Sequence, residues 1–331
     1  MKGPRIIPVF LSQEGCPCQC VYCLREVVGA GQTLMNRSPE EEVMEACRFY
    51  PNGADELAFY GGTFTLLEAS RQEAFLTAAA ALRTRGFIRR IRLSTRPDAI
   101  DGEVCRRLKD YGVDLVELGV QSLDLKVLKA SGRGYEPACV ENSMRQLQVN
   151  GIAVAFQLML GLPEQSWQSV LQTAAETLRL RPVGVRIYPL LVFKGTPLYS
   201  LWQTGRYREL PLSRAIAQAS YWRRTFQEAG IPVYRIGLQL AADELTKIVA
   251  GPWHASFSSL VTAHDCRRLL DGHLRTSRND RTRRIMLGQA AALPLLQDKP
   301  RLNAMLAQYP NTALRVQKAG VLPVMDTVLL N

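Results

Sequence analysis

No uninterrupted apolar run reaches the roughly 18 residues that a transmembrane helix needs. A membrane is therefore not expected among the partners of this chain. The apolar stretch 6–11 is short and broken by Pro8, so it does not read as the core of a signal peptide. Histidine is scarce, with three in 331 residues. His264 and Cys266 are close together, but no second ligand pair accompanies them, and no zinc site is expected there. Gly29-Ala30-Gly31 lacks the third glycine and the strand–helix context of a dinucleotide fingerprint. No repeat and no low-complexity segment is visible. Acidic residues are also in deficit, 30 against 41 Lys and Arg, for a net charge of +11. That balance points to a polyanionic partner, with nucleic acid first among them. Two groups of arginines concentrate the charge: Arg83, Arg85, Arg89, Arg90, Arg92 and Arg96, and then Arg267, Arg268, Arg275, Arg278, Arg281, Arg283 and Arg284. Each group reads equally well as a solvated basic surface.

Cysteine is present, and its distribution is the most informative feature. Four of the eight cysteines fall in the run Cys16-Pro17-Cys18-Gln19-Cys20-Val21-Tyr22-Cys23. Such packing reads as metal chemistry in a reducing cytosol and not as a disulfide framework. Cys47, Cys105 and Cys139 lie in helical patterns and read as ordinary buried thiols. Cys16, Cys20 and Cys23 have C-x3-C-x2-C spacing. Three clustered thiolates can hold three irons of a four-iron cluster and leave the fourth open to a ligand that is not protein. Zinc sites, disulfides and closed clusters draw on the same residue type. Cys18 would supply a fourth thiol, but four ligands within eight residues crowd a tetrahedral zinc. The usual closed four-iron runs are spaced differently.

Apolar strands alternate with helical patterns over the first two thirds of the chain. Strands are expected at 5–11, 56–60, 88–94, 115–121, 152–160 and 184–192. Helices are expected at 68–85, 102–111, 137–150 and 166–180, and one opens at Ser38-Pro39-Glu40-Glu41 with the pattern of a capping box. Six βα steps imply a parallel sheet. Helices are expected at 212–230, 241–249 and 256–270, with a strand at 233–238. The last fifty residues read as a small strand–helix–strand addition. A barrel-like parallel sheet carries its chemistry at the C-terminal ends of its strands. The cysteine loop, Gly61-Gly62-Thr63, Ser94-Thr95-Arg96, Glu117, Gln121 and Gly161-Leu162-Pro163 all belong to such strand ends or strands.

These residues resemble the radical S-adenosylmethionine superfamily. The cysteine loop has an aromatic, Tyr22, before its last cysteine, and Phe59-Tyr60-Gly61-Gly62-Thr63-Phe64-Thr65 is similar to the superfamily's glycine motif. Segments 116–122, 186–192 and 194–207 resemble the radical domain of the Elongator catalytic subunit, and the likeness covers roughly 5–240. The resemblance implies an α/β fold, a partial (β/α)6 TIM-like barrel over 1–205, with a small, basic C-terminal α+β addition over 206–331. It implies a [4Fe-4S] cluster on Cys16, Cys20 and Cys23, with S-adenosylmethionine on the open iron. Reductive cleavage of that cofactor would give a 5′-deoxyadenosyl radical for hydrogen abstraction. Tyr22, Gly61, Gly62, Thr63, Arg96, Glu117, Gln121, Gly161 and Leu162 are then the residues expected around S-adenosylmethionine. Arg186, Tyr188 and Lys194, at the end of strand six and just after it, together with His254, are the substrate candidates. An electron donor is implied, and RNA, in particular a tRNA base, is the substrate class.

The chain departs from the family in places. Cys18 and Leu24 stand where relatives carry other polar residues. No glycine-rich acyl-CoA loop follows Leu238, so the chain reads as a shorter, stand-alone relative without the acetyltransferase domain, and acetyl-CoA use stays open. Rival readings are a radical enzyme acting on a small metabolite or peptide, a non-catalytic iron–sulfur or haem-related binding protein, and a zinc-stabilised RNA-binding protein.

Overall fold

The computed structural model describes residues 4–11, 15–16, 20–23, 37–276, 283–287, 295–296, 299–309, 312–316 and 327–330. Cys18, Leu24, Gly29, Ala30, Gly31, Arg278 and Arg281, singled out above, lie outside them. The chain forms two compact units, Met1–Leu210 with Thr225–Pro252 and Pro211–Arg224 with Trp253–Asn331.

The first unit is built on a parallel sheet. Its strands are β1 (Ile6–Phe10), β2 (Glu56–Tyr60), β3 (Arg90–Thr95), β4 (Leu115–Gln121), β5 (Ala153–Leu160) and β6 (Val185–Pro189). A seventh strand, Val233–Ile236, completes the spatial order β1-β2-β3-β4-β5-β6 and then itself. Every neighbouring pair is parallel. The sheet curls into a partial barrel, so its strands are covered on both faces and read as near-continuous apolar runs. Leu57, Ala58 and Phe59 are fully buried, as are Val116, Leu118 and Val120. Helices return the chain between strands. The helix Pro39–Cys47 starts at Ser38, whose side chain accepts from the Glu41 amide while Glu41 accepts from the Ser38 amide. A reciprocal cap of this kind stabilises a helix start by about 1 kcal/mol.

Three expectations change. The run 184–192 is two strands and not one. β6 ends at Pro189, and Val192–Phe193 (β7) leaves the sheet to pair antiparallel with Ile248–Ala250. The helix expected at 241–249 shrinks to one turn, Ala242–Leu245, because the β-branched Ile248 and Val249 belong to that ribbon. The six-residue helix Leu125–Ala130, capped by Asp124, was not anticipated, being too short to carry a periodic signal.

The second unit contains the helices Phe257–Thr276 and Lys299–Leu306. Leu270, Leu274, Leu295 and Leu302 form a small core there. Arg283–Leu287 lies between Thr312–Val316 and Thr327–Leu330 in a three-stranded parallel sheet. The C-terminal addition is thus α+β, with one strand more than expected.

Candidate functional site

The cysteine loop begins where β1 ends. Leu11 still donates its amide to the Tyr60 carbonyl at 2.7 Å, which keeps the strand end beside β2. Gly15 follows with φ +76°, and a Cβ there would lie 2.8–2.9 Å from the backbone of Thr63, Leu66 and Leu67. Only glycine allows the loop to press against the turn after β2. Further along, the Val21 amide donates to the Ser131 carbonyl at 3.2 Å, and the Val21 carbonyl accepts from the Leu198 amide at 2.7 Å. The Cys23 amide donates to the Cys20 carbonyl at 3.0 Å, which closes a turn around the last two cysteines. Cys20 is buried, and Cys16 and Cys23 are half-buried.

Two arginines stand over Cys20. The Arg133 Nη1 lies 3.3 Å from its Sγ and the Arg96 Nη1 lies 3.8 Å away. A hydrogen bond from the Cys23 thiol, assisted by both guanidinium charges against the opposing effect of burial, holds the Cys20 thiol well below its ordinary pKa. The Cys23 thiol, donating to Cys20, is pushed up. Arg96 makes a two-pronged contact with Asp98 at 2.8 and 2.7 Å and donates to the Arg133 carbonyl at 2.6 Å. Arg133 also donates to the Tyr135 hydroxyl and the Gly119 carbonyl. The Tyr135 hydroxyl donates to the carbonyls of Gly119 and Val120 at 2.9 and 3.0 Å. Gly119 leaves this crowding room: a Cβ there would sit 3.0 Å from the Gln121 Nε2 and 3.5 Å from the Arg133 Nη2.

Sequence reasoning missed Arg133, Ser131 and Tyr135. The available signal was Gly132-Arg133-Gly134, an arginine flanked by two glycines that both take positive φ. Three polar atoms in this neighbourhood are buried without a hydrogen-bond partner: Tyr22 Oη, Gln121 Oε1 and Ser131 Oγ. Gln121 has φ +65°, at a point where the register of β4 against β5 shifts. Burial pushes the Tyr22 phenol upward.

The remaining expected residues divide between this rim and other places. Gly61 follows β2 at φ +90°, where ordinary packing space surrounds it, so the backbone conformation and not crowding calls for glycine. Thr63 is buried at the start of the one-turn helix Phe64–Leu66, and Gly62 between them is half-buried. Gly161 follows β5, its amide donating to Gln165 Oε1 at 2.6 Å and its carbonyl accepting from Tyr207 Oη at 2.7 Å. Leu162 packs in one apolar cluster with Tyr22, Leu190, Leu198 and Tyr207. Lys194 is exposed just after β7.

Glu117 and Arg186 are elsewhere than expected, whereas Tyr188 is the next-to-last residue of β6. Glu117 is fully buried inside the sheet's curve. Its Oε1 accepts from Tyr60 Oη at 3.2 Å and Arg92 Nη1 at 3.0 Å, and its Oε2 from Gln157 Nε2 at 3.0 Å, with Arg186 Nε 2.7 Å away. Arg186 is the second residue of β6 and not near its end. It faces this network and lies 5.3 Å over the Tyr60 ring. It also lines a cavity of about 900 Å³ with Glu56, Arg90, Arg92, Asp114 and Arg235, most of them at the N-terminal starts of the strands, opposite the cysteine loop. Tyr188, beside Arg186, is half-buried, and burial raises its phenol pKa. His254 belongs to the second unit, where its exposed Nδ1 accepts from the Ser256 amide at 3.0 Å ahead of the helix Phe257–Thr276. The first arginine group is not one surface patch, because Arg92 and Arg96 are only 4% and 3% exposed.

Among the described residues, no three His, Cys, Asp or Glu side chains converge on a point that a single ion could occupy. A four-iron cluster asks for something different, one soft thiolate to each of three irons. Three cysteine thiols, one of them favoured as thiolate, fit that demand. The orphaned polar atoms of Tyr22, Gln121 and Ser131 fit a polar cofactor beside it, since buried polar groups ordinarily find partners.

A parallel partial barrel with three cysteines in the loop after its first strand is a fold and donor set that suit an iron–sulfur enzyme. The radical SAM superfamily model matches residues 10–176, and the radical SAM C-terminal domain model matches 182–265. The chain belongs to the radical SAM superfamily, whose members are enzymes that use a [4Fe-4S] cluster and S-adenosylmethionine. Its sequence is 28% identical over 213 residues to an uncharacterised protein of Methanocaldococcus jannaschii, covering 63% of each chain. It is 25% identical over 305 residues to the tRNA uridine(34) acetyltransferase of the same organism, covering 79% of this chain and 55% of that one. The chain thus spans between about half and two thirds of the length of these relatives. In fold it is similar to the archaeal Methanocaldococcus infernus Elp3 lacking its N-terminus, with a TM-score of 0.64 and 23% identity, covering 80% of this chain and 63% of that one. Among the described residues, no helix is long and apolar enough to cross a membrane.

Proposed function

We propose that this chain carries out radical chemistry on RNA, with a tRNA base as the target, in the reducing cytosol. Cys16, Cys20 and Cys23 would hold the cluster, which, with an electron donor, would supply the reducing electron for cleavage of S-adenosylmethionine. The protein's part is binding and orientation. Gly61, Gly62 and Thr63 present backbone polar groups to the methionine end. Gln121 and Tyr22 offer unsatisfied polar atoms to the cofactor, and Gly161 and Leu162 wall the adenine side. Arg96 is committed to Asp98 and the Arg133 carbonyl, so it orients the loop more than it clasps a carboxylate. Lys194 stands exposed where an anionic substrate would approach. Residues 1–205 carry the cofactor chemistry in this reading, and the basic segment 206–331 contributes positive charge for binding RNA.

The observation that carries the reading is the coincidence, at one end of the sheet, of three thiols and three orphaned buried polar atoms. The net charge of +11 and the similarity to a tRNA-modifying enzyme support the choice of substrate. The test is binding of unmodified tRNA to the anaerobically reconstituted protein across a salt series. Affinity is expected to fall steeply as salt rises, and tRNA is expected to increase 5′-deoxyadenosine formation. Indifference to tRNA at low salt would overturn the RNA assignment and turn attention to a small metabolite or peptide.

A further inference from the structure

We infer that Arg133, oriented by Arg96, raises the reduction potential of the cluster by setting its guanidinium against the Cys20 sulfur. This rests on the assignment of Cys20 as an iron ligand made above. Four arginines buried in the first unit allow a direct comparison. Arg92 meets Glu56 at 2.7 Å and Glu117 at 3.0 Å, Arg186 meets Glu117 at 2.7 Å, and Arg96 meets Asp98 at 2.7 Å. Arg133 is 5% exposed, and its contacts are the Tyr135 hydroxyl, the Gly119 carbonyl and Cys20 Sγ. None of these contacts is a carboxylate. A guanidinium taken out of water without an anion is costly. Cys20 Sγ lies 3.3 Å from Arg133 Nη1, and as an iron ligand it would be the thiolate that this guanidinium faces.

The sign of the effect follows from charge. A four-iron cluster on three thiolates is already anionic when oxidised and gains one further negative charge on reduction. A fixed positive charge stabilises the more negative state more, and a hydrogen bond to a ligand sulfur acts in the same direction. Burial keeps the interaction from being screened by salt. Arg133 is held for this task on several sides. Arg96 donates to its carbonyl, Tyr135 accepts from both Nε and Nη2, and its guanidinium lies 5.0 Å from the Tyr135 ring centre. Asp98 sits on the far side of Arg96 and partly offsets the positive charge of the pair. Arg133 is thus a positioning and tuning residue, acting on the substrate chemistry only through the cluster.

The test is a potentiometric titration of the reconstituted full chain, followed by the electron paramagnetic resonance signal of the reduced cluster, without S-adenosylmethionine. Arg133→Gln is expected to move the midpoint to more negative potential, by at least a tenfold fall in the reduced-to-oxidised ratio at the wild-type midpoint, which is about 59 mV for one electron. Asp98→Asn, whose carboxylate is partly exposed, is expected to move it the opposite way. A cluster-loaded Arg133→Gln protein with the wild-type midpoint would overturn the inference. If Arg133→Gln does not take up a cluster, Asp98→Asn decides, and an unmoved midpoint there would overturn it equally. A wild-type protein that takes up no iron would overturn the ligand assignment itself, and the inference with it.

Discussion

Glu117 receives Tyr60 and Arg92 on one carboxylate oxygen and Gln157 and Arg186 on the other. Four residues further along the same strand, Gln121 Oε1 is buried and accepts from nothing. The two regions are built from similar materials: buried arginines, tyrosines and side-chain amides inside one curled sheet. In the interior, each of the charges of Glu56, Arg92, Glu117 and Arg186 meets a counter-charge within the protein, although Glu56 Oε2, Arg92 Nε and Arg186 Nε make no hydrogen bond, and these ion pairs link strands β2 to β6. At the C-terminal rim, the partners are incomplete. Arg133 faces a sulfur, Tyr22 and Ser131 keep unused polar atoms, and Gln121 holds a left-handed backbone. What separates the regions is charge pairing: the interior's guanidiniums face carboxylates, whereas at the rim Arg133 faces a sulfur beside three thiols.

The largest effect that could break this contrast comes from the cysteines. Cys20→Ala is expected to abolish cluster uptake, measured as loss of bound iron and of brown colour after reconstitution, while the far-ultraviolet circular dichroism stays that of the folded protein. A Cys20→Ala protein that retains a full cluster would end the assignment. Next comes Glu117→Ala, which leaves Arg92 and Arg186 buried with one carboxylate fewer between them. Breaking a buried pair in this way costs about 3–5 kcal/mol, and denaturant unfolding of the variant should register a loss of that order. A loss under about 1 kcal/mol would mean that the interior network is not scaffold.

Gln121→Leu sharpens the comparison from the other side. Because its acceptor has no partner in the protein, its removal is expected to leave unfolding stability nearly unchanged. It is expected to weaken S-adenosylmethionine binding about three- to tenfold, read by calorimetry on the reconstituted protein. A stability loss as large as that of Glu117→Ala, with binding intact, would move Gln121 into the scaffold. The smallest effect belongs to the exposed pair Lys126–Glu164, at 2.6 Å. Solvent screens such pairs, so Lys126→Ala should leave the melting temperature where it is.

The legibility of these regions in the sequence follows their physics. Strands 56–60 and 115–121 were readable to the residue because each is mostly apolar, as a strand covered on both faces is, despite Glu56, Glu117 and Gln121 within them. The helix start at Ser38 was readable because a capping box is local. The cysteine loop was readable from spacing. Arg133 was not, because its meaning comes from a sulfur 113 residues away in the chain. Glu117 is expected beside S-adenosylmethionine from the family resemblance, and nothing local announces that Arg92, Arg186 and Gln157 will meet it. Arg186 is the second residue of β6 and already lay near the start of the expected strand 184–192, so its place at the strand's end did not follow from the strand itself. The two-residue strand Val192–Phe193 and its partner Ile248–Ala250 are too short to signal themselves before they pair.

The measurement that tests the account most directly is 5′-deoxyadenosine, quantified by mass spectrometry after anaerobic reconstitution with iron and sulfide and addition of S-adenosylmethionine and dithionite. The wild-type protein is expected to form it, more so with tRNA present, and Cys23→Ala to form none. A cluster-loaded wild-type protein that yields no 5′-deoxyadenosine with or without tRNA, or a Cys23→Ala variant as active as the wild type, would contradict the reading of the rim as a radical site.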